Sequence, residues 1–182
     1  MAWSSGTCQT HELTPFLQHD DLFWLTVGAV AGLVVGLLVS RRVAGSWHRP
    51  VAIALACTHL GAVIGITLLP VPFGRPPFDL PYSNVQLIPF GTIRLLIDGS
   101  QSLRQLGGNL LLLAPMGVLA PIAWRAARPW GRTMAWGVVA SVAIEVSQLT
   151  LGSLAGQFYR VVDIDDVLLN VAGVAAGRLL FT

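Results

Sequence analysis

Five apolar runs, each close to the length that crosses a bilayer's hydrocarbon core, leave this chain very few folds. They lie at about residues 22–40, 51–69, 107–124, 133–151 and 163–181 of 182. A core of ~30 Å requires ~20 helical residues at ~1.5 Å each. In lipid every backbone N–H and C=O must be satisfied within the protein, so such runs become helices. The expected fold is all-α, an integral membrane bundle of about five transmembrane helices forming one membrane domain over residues 1–182. Composition agrees, with 54% hydrophobic residues, 11% charged residues and a mean hydropathy of +0.68.

The charges orient the bundle. All eleven basic residues are arginines; Arg41, Arg42 and Arg49 lie between the first two runs, and Arg125, Arg128 and Arg132 between the third and fourth. Neither connection contains an acid, whereas Glu12, Asp20, Asp21, Asp79, Asp98 and Asp163/Asp165/Asp166 fall in the other loops or ends. This asymmetry predicts a multi-pass protein with its N-terminus outside, and its two basic loops and C-terminus in the cytoplasm. It also accounts for the pI of about 8.9 without a nucleic-acid partner. Residues 1–21 lack a basic n-region, so the first run is expected to stay as a helix rather than be cleaved. Cys8, in the outer tail, and Cys57, within the second span, are separated by the membrane and are not expected to pair.

The longest connection, Pro70 to Leu106, opens with Pro70, Pro72, Pro76, Pro77 and Pro81. Within it Leu87–Ile97 is apolar but too short to span, and Pro89 suits a helix's first turn, so a short interfacial or re-entrant helix is expected on the outer face. Small residues recur at Gly28/Gly32/Gly36, Gly61/Gly65 and Gly173/Gly177, a spacing that lets helices approach closely in lipid; packing within the chain is favoured over a dimer.

Counting from the arginines places the polar residues in depth. Glu145 lies thirteen positions beyond Arg132, roughly 20 Å up, with Gln148 a turn higher. Asn170 lies eight positions before Arg178, roughly 12 Å up, and Asp166 a turn above it; Asn109 lies sixteen before Arg125, roughly 24 Å up. Three helices thus send polar groups toward one level. Asp163, Asp166, Asn170, Gly173 and Gly177 share one helix face, while Asp165 points to a neighbouring side. Glu145 and Asp166 are the candidate catalytic residues, expected to face the bundle interior and pair with Arg160, Arg94 or Arg104 across a polar cavity opening outward.

Plainer readings stand beside these. Asp163 and Asp165 suit a helix N-terminus as capping carboxylates. Gln86, Asn109, Gln148 and Asn170 suit interhelical hydrogen bonding. His59, mid-span beside Thr58, is better read as a neutral histidine bonded to a neighbouring helix than as a proton carrier. Asp163, Asp165, Asp166 and Glu145 are hard oxygen donors, but Arg160 would compete with a cation, so no metal and no cofactor is expected. No hydrolase elbow, phosphate loop, HExxH or CxxC occurs.

Taken in order, Gln86-Leu87-Ile88-Pro89-Phe90, Asn109 through Gly117 with Pro115, Glu145-Val146-Ser147-Gln148, and Arg160 through Asn170 with Gly173 resemble the VanZ-like family of bacterial membrane proteins, over roughly residues 84 to 180. The family pattern has asparagine where this chain has Gln86, with Asn84 two residues earlier. The resemblance implies a role in the bacterial cell envelope and carries over Gln86, Asn109, Glu145, Gln148, Arg160, Asp163, Asp165, Asp166 and Asn170 as ligand-binding candidates. The family's name comes from a glycopeptide-resistance protein linked to teicoplanin.

Two functions follow as expectations. The first is a protein of the cytoplasmic membrane whose outward polar cavity binds an amphiphile, either the lipid tail of a lipoglycopeptide or a lipid-linked cell-wall precursor. The second is a membrane enzyme acting on a polyprenyl- or phospholipid-linked substrate at the outer leaflet, with Glu145 or Asp166 as general base or metal ligand and Arg160 steadying a phosphate. A transporter is disfavoured by the lack of internal repeats.

Overall fold

A computed structural model describes residues 19–43, 46–69, 71, 85–97, 103–156 and 161–181. The described elements are α1 (His19–Ser40), α2 (His48–Leu68), a two-residue strand β1 (Val85–Gln86), α3 (Gly91–Ile97), α4 (Leu103–Leu112), α5 (Ala114–Ala123), a 3-10 turn (Arg125–Ala127), α6 (Trp130–Leu154), β2 (Val162–Asp163) and α7 (Ile164–Phe181). The expected all-helical membrane bundle is present. Among the described residues four helical spans are long and apolar enough to cross a membrane, at Asp20–Ser40, His48–Leu68, Leu106–Ala123 and Trp130–Leu154. The fifth expected span, α7, has 18 residues but carries Asp165, Asp166 and Arg178, and packs against α4, α5 and α6.

The glycine spacings become contacts inside the chain. A Cβ on Gly28 would lie 2.0 Å from the Gly61 carbonyl oxygen, and one on Gly65 would lie 2.1 Å from that of Trp24, so α1 and α2 touch backbone to backbone. The second such seam joins α7 to α4 and α5. A Cβ on Gly173 would meet the Leu110 oxygen at 1.9 Å, one on Gly177 the Ala114 oxygen at 1.9 Å, and one on Gly117 the Val174 oxygen at 2.2 Å. The rest of α1 presents Leu22, Phe23, Val30, Val34 and Leu38 outward, as a lipid-facing helix does.

The third expected span is broken at Leu113 into α4 and α5. Pro115 has no N–H for the Leu111 carbonyl, and the Met116 N–H bonds to Leu113 O at 3.0 Å instead of Leu112 O. The Leu112 carbonyl takes His59 Nε2 at 3.0 Å in its place, so that nitrogen carries the proton. His59 therefore ties α2 to the break, as its plainer reading expected.

At the arginine-rich end, Arg178 is buried and donates from Nη2 to the Arg128 carbonyl at 3.1 Å. Its Cζ lies 5.4 Å from the Trp130 ring centroid and 4.7 Å from that of Phe181. Among the described residues its Nε and Nη1 have no hydrogen-bond partner, and the aromatic faces supply part of the compensation.

Candidate functional site

The site is assembled where the C-terminal half of α6, the start of α7 and the short α3 meet. β1 and β2 pair in parallel, Val85 with Val162 and Gln86 with Asp163, which brings the loop before α3 against the start of α7. Pro89 falls in the turn ahead of α3 rather than in the helix's first turn, which corrects the sequence expectation. Phe90, the last residue of that turn, has φ +64, a left-handed conformation that a bulky residue adopts at a cost and only when its surroundings hold it there.

Asp165 supplies much of that hold. Its carboxylate accepts the backbone N–H of Phe90 at 2.6 Å, of Thr92 at 2.8 Å and of Ile93 at 3.2 Å. A helix begins with N–H groups that have no intrahelical acceptor, and Asp165 reaches across from another helix to take those of α3. Asp165 is fully buried, so the neighbouring side assigned to it from the sequence is the side that faces α3. Asp163 caps its own helix, accepting the Asp165 N–H at 2.9 Å. It also accepts the Thr92 hydroxyl, so Thr92 bonds both aspartates.

Glu145 is buried and accepts the Asp163 N–H through Oε2 at 3.3 Å. Asp166, half-buried, accepts a hydrogen bond from the Asn109 amide. The depth count had put these residues of α4, α6 and α7 at one level, and the structure brings them together. Gln86 turns its amide toward Gly91, where a Cβ would lie 2.3 Å from its Nε2.

Gln148 and Asn170 stand apart from this cluster. Gln148 donates to the Thr67 carbonyl in the last turn of α2 at 3.1 Å, and Asn170 donates to the Ser141 hydroxyl on α6 at 3.0 Å. Both bonds join helices. Arg160 lies outside the described residues, as does the side chain of Arg104, while Arg94 is exposed. Among the described residues no group of three or more His, Cys, Asp or Glu side chains is arranged to hold a metal ion.

The sequence did not single out Thr92 or Ser141, and it offered Phe90 only as the end of the Gln86–Phe90 motif, with no role of its own. Thr92 carried a faint signal, a hydroxyl residue at the start of a short apolar helix. A family model described as VanZ/LLP1 matches residues 56–182, more than half of the chain. The chain belongs to the VanZ-like family. No curated protein and no solved structure matches it. The VanZ-like match runs from within α2 through α7, so it takes in the whole carboxylate cluster and His59, while α1 lies outside it. It also begins earlier than the motifs quoted from the sequence, which started near residue 84.

The VanZ-like cluster combines two chemistries. Its base is a set of buried carboxylates whose bonds hold α3 and its leading turn. Its rim is apolar, because the same turn leaves Leu87 67%, Ile88 68% and Phe90 57% exposed. A backbone tied down by ionisable groups thus presents three large apolar side chains outward.

Proposed function

We propose that this VanZ-like protein of the cytoplasmic membrane binds an amphiphile at the outer face, beside α3. The observation that carries this reading is the exposed Leu87/Ile88/Phe90 rim fastened to the carboxylates Asp163 and Asp165, with Glu145, Asp166 and Asn109 behind it. An apolar rim suits a lipid tail, and polar groups at its base suit the head to which that tail is joined. The lipid tail of a lipoglycopeptide such as teicoplanin and a lipid-linked cell-wall precursor both have this form. The family relationship supports an envelope role of this kind.

Drug susceptibility tests the proposal. The wild type, Glu145→Gln, Asp166→Asn and a Leu87→Ser/Phe90→Ser double variant would be expressed at matched membrane levels in a glycopeptide-susceptible bacterium that lacks a homologue. The wild type is expected to raise tolerance to teicoplanin but not to vancomycin, which has no lipid tail. The rim variant is expected to lose most of that protection, and the carboxylate variants to lose it by degrees. Equal protection against both drugs, or full protection by the rim variant, would count against amphiphile binding at this face. Complete loss in the conservative carboxylate variants alone, with the rim variant unaffected, would favour the enzyme reading.

A further inference from the structure

From the arginine-rich end toward the middle of the bundle runs a cavity of about 460 Å³, bordered by α2, α5, α6 and α7. Its walls include Leu60, Met116, Trp124, Thr133, Trp136 and Ala143. Among the described residues that line it, polar side-chain groups are confined to the Thr133 hydroxyl, which already donates to the Ala127 carbonyl at 2.5 Å, and the indole N–H groups of Trp124 and Trp136. The opening is lateral, since Trp136 and Val139 on its edge are each 61% exposed and face the lipid side of α6.

Length and charge narrow the occupant. From Thr133 to Ala143 the lining runs about 15 Å along α6, the depth of one leaflet in a hydrocarbon core of ~30 Å. At its arginine end, lining residues Trp124, Ala126 and Thr133 alternate in sequence with Arg125 and Arg132, both exposed. The connection from Arg125 to Arg132 holds three arginines and no acid, and the third, Arg128, is partly engaged through its Nε with the Pro121 carbonyl at 3.4 Å. Trp124 and Trp130 flank the same connection, as tryptophans do at a membrane interface.

We infer that this cavity holds one acyl chain of an anionic phospholipid from the leaflet at the arginine-rich end, with the lipid phosphate at Arg125 and Arg132. Hydrocarbon suits a cavity whose walls are aliphatic and aromatic almost throughout, and basic residues beside it favour an anionic headgroup over a zwitterionic one. This site is separate from the outer cluster and does not depend on its role.

Lipid retention by the detergent-purified full chain tests the inference, read as bound lipid per protein by native mass spectrometry. The probes are dioleoylphosphatidylglycerol and dioleoylphosphatidylcholine, with inorganic phosphate as competitor. The wild type is expected to retain the anionic lipid roughly tenfold better than the zwitterionic one. The Arg125→Gln/Arg132→Gln variant is expected to lose that preference and still retain some of both lipids. Ala143→Phe, whose ring would enter the cavity from an exposed position, is expected to reduce retention of both. Equal retention of the two lipids by the wild type would overturn the inference, as would unchanged retention in a folded Ala143→Phe protein. Displacement of the lipid by millimolar phosphate would also overturn it, by showing a headgroup site that makes no use of the cavity.

Discussion

At the scale of single residues, Asp165 and Asp166 are neighbours with different tasks. Asp165 takes three backbone N–H groups of the α3 segment, whereas Asp166 takes the Asn109 side chain. Removing the first strands several donors in a buried place, at about 1–3 kcal/mol for each unsatisfied group. Asp165→Ala should therefore free α3 from the bundle, and hydrogen–deuterium exchange at Phe90, Thr92 and Ile93 should rise at least tenfold. Asp166→Ala should leave those amides protected. Equal exchange in the two variants would show that Asp165 is not the fastening. This difference was only half legible in the sequence. Depth counting found Glu145 and Asp166 because both sit on long helices whose rise per residue is fixed, and it reached Asn109 even though that count crosses the break at Leu113. It could not find Asp165's partners, which lie more than seventy positions away on a short helix entered through a left-handed Phe90. Helix periodicity says which way a side chain leaves its own helix, and it is silent about what another segment brings to meet it.

At the scale of elements, the break between α4 and α5 is matched by a histidine on another helix. Pro115 removes one donor, the Met116 N–H shifts to Leu113, and His59 fills the vacancy at Leu112. An unpaired carbonyl at this depth costs about 1–3 kcal/mol. His59→Phe alone should lower the thermal midpoint of the detergent-solubilised protein by several degrees. Pro115→Ala restores the N–H that an unbroken helix would use, so the Leu112 carbonyl can regain Met116. The double variant His59→Phe/Pro115→Ala should then be more stable than His59→Phe alone. Additive losses in the two single variants would mean that histidine and proline act independently. The sequence announced both residues and even favoured a bonded neutral His59. The partner was hidden because a main-chain carbonyl becomes available only once the helix is known to break.

At the scale of the whole molecule, the bundle is two close-packed seams joined through α2. Glycines Gly28, Gly61 and Gly65 bring α1 onto α2, and Gly117, Gly173 and Gly177 bring α5 and α4 onto α7. Both seams were legible as four-residue glycine spacings, because in lipid close backbone approach is a principal source of helix association. The same plan separates the two ends. Glu145, Asp163 and Asp165 gather at one, and Arg125, Arg128, Arg132 and Arg178 at the other. Which end faces outward decides whether a drug or precursor can reach α3 without crossing the membrane, and arginine asymmetry predicts that it can. Thiol labelling in intact cells reads this directly. In a Cys8→Ser/Cys57→Ser background, Ser153→Cys lies on an exposed site near the carboxylate end of α6, and Ser46→Cys lies on an exposed site in the basic α1–α2 connection. A membrane-impermeant maleimide should label the first in intact cells and the second only after permeabilisation. The reverse pattern would put α3 in the cytoplasm, where a lipoglycopeptide arriving from outside could not meet it, and would remove the amphiphile proposal in its extracellular form.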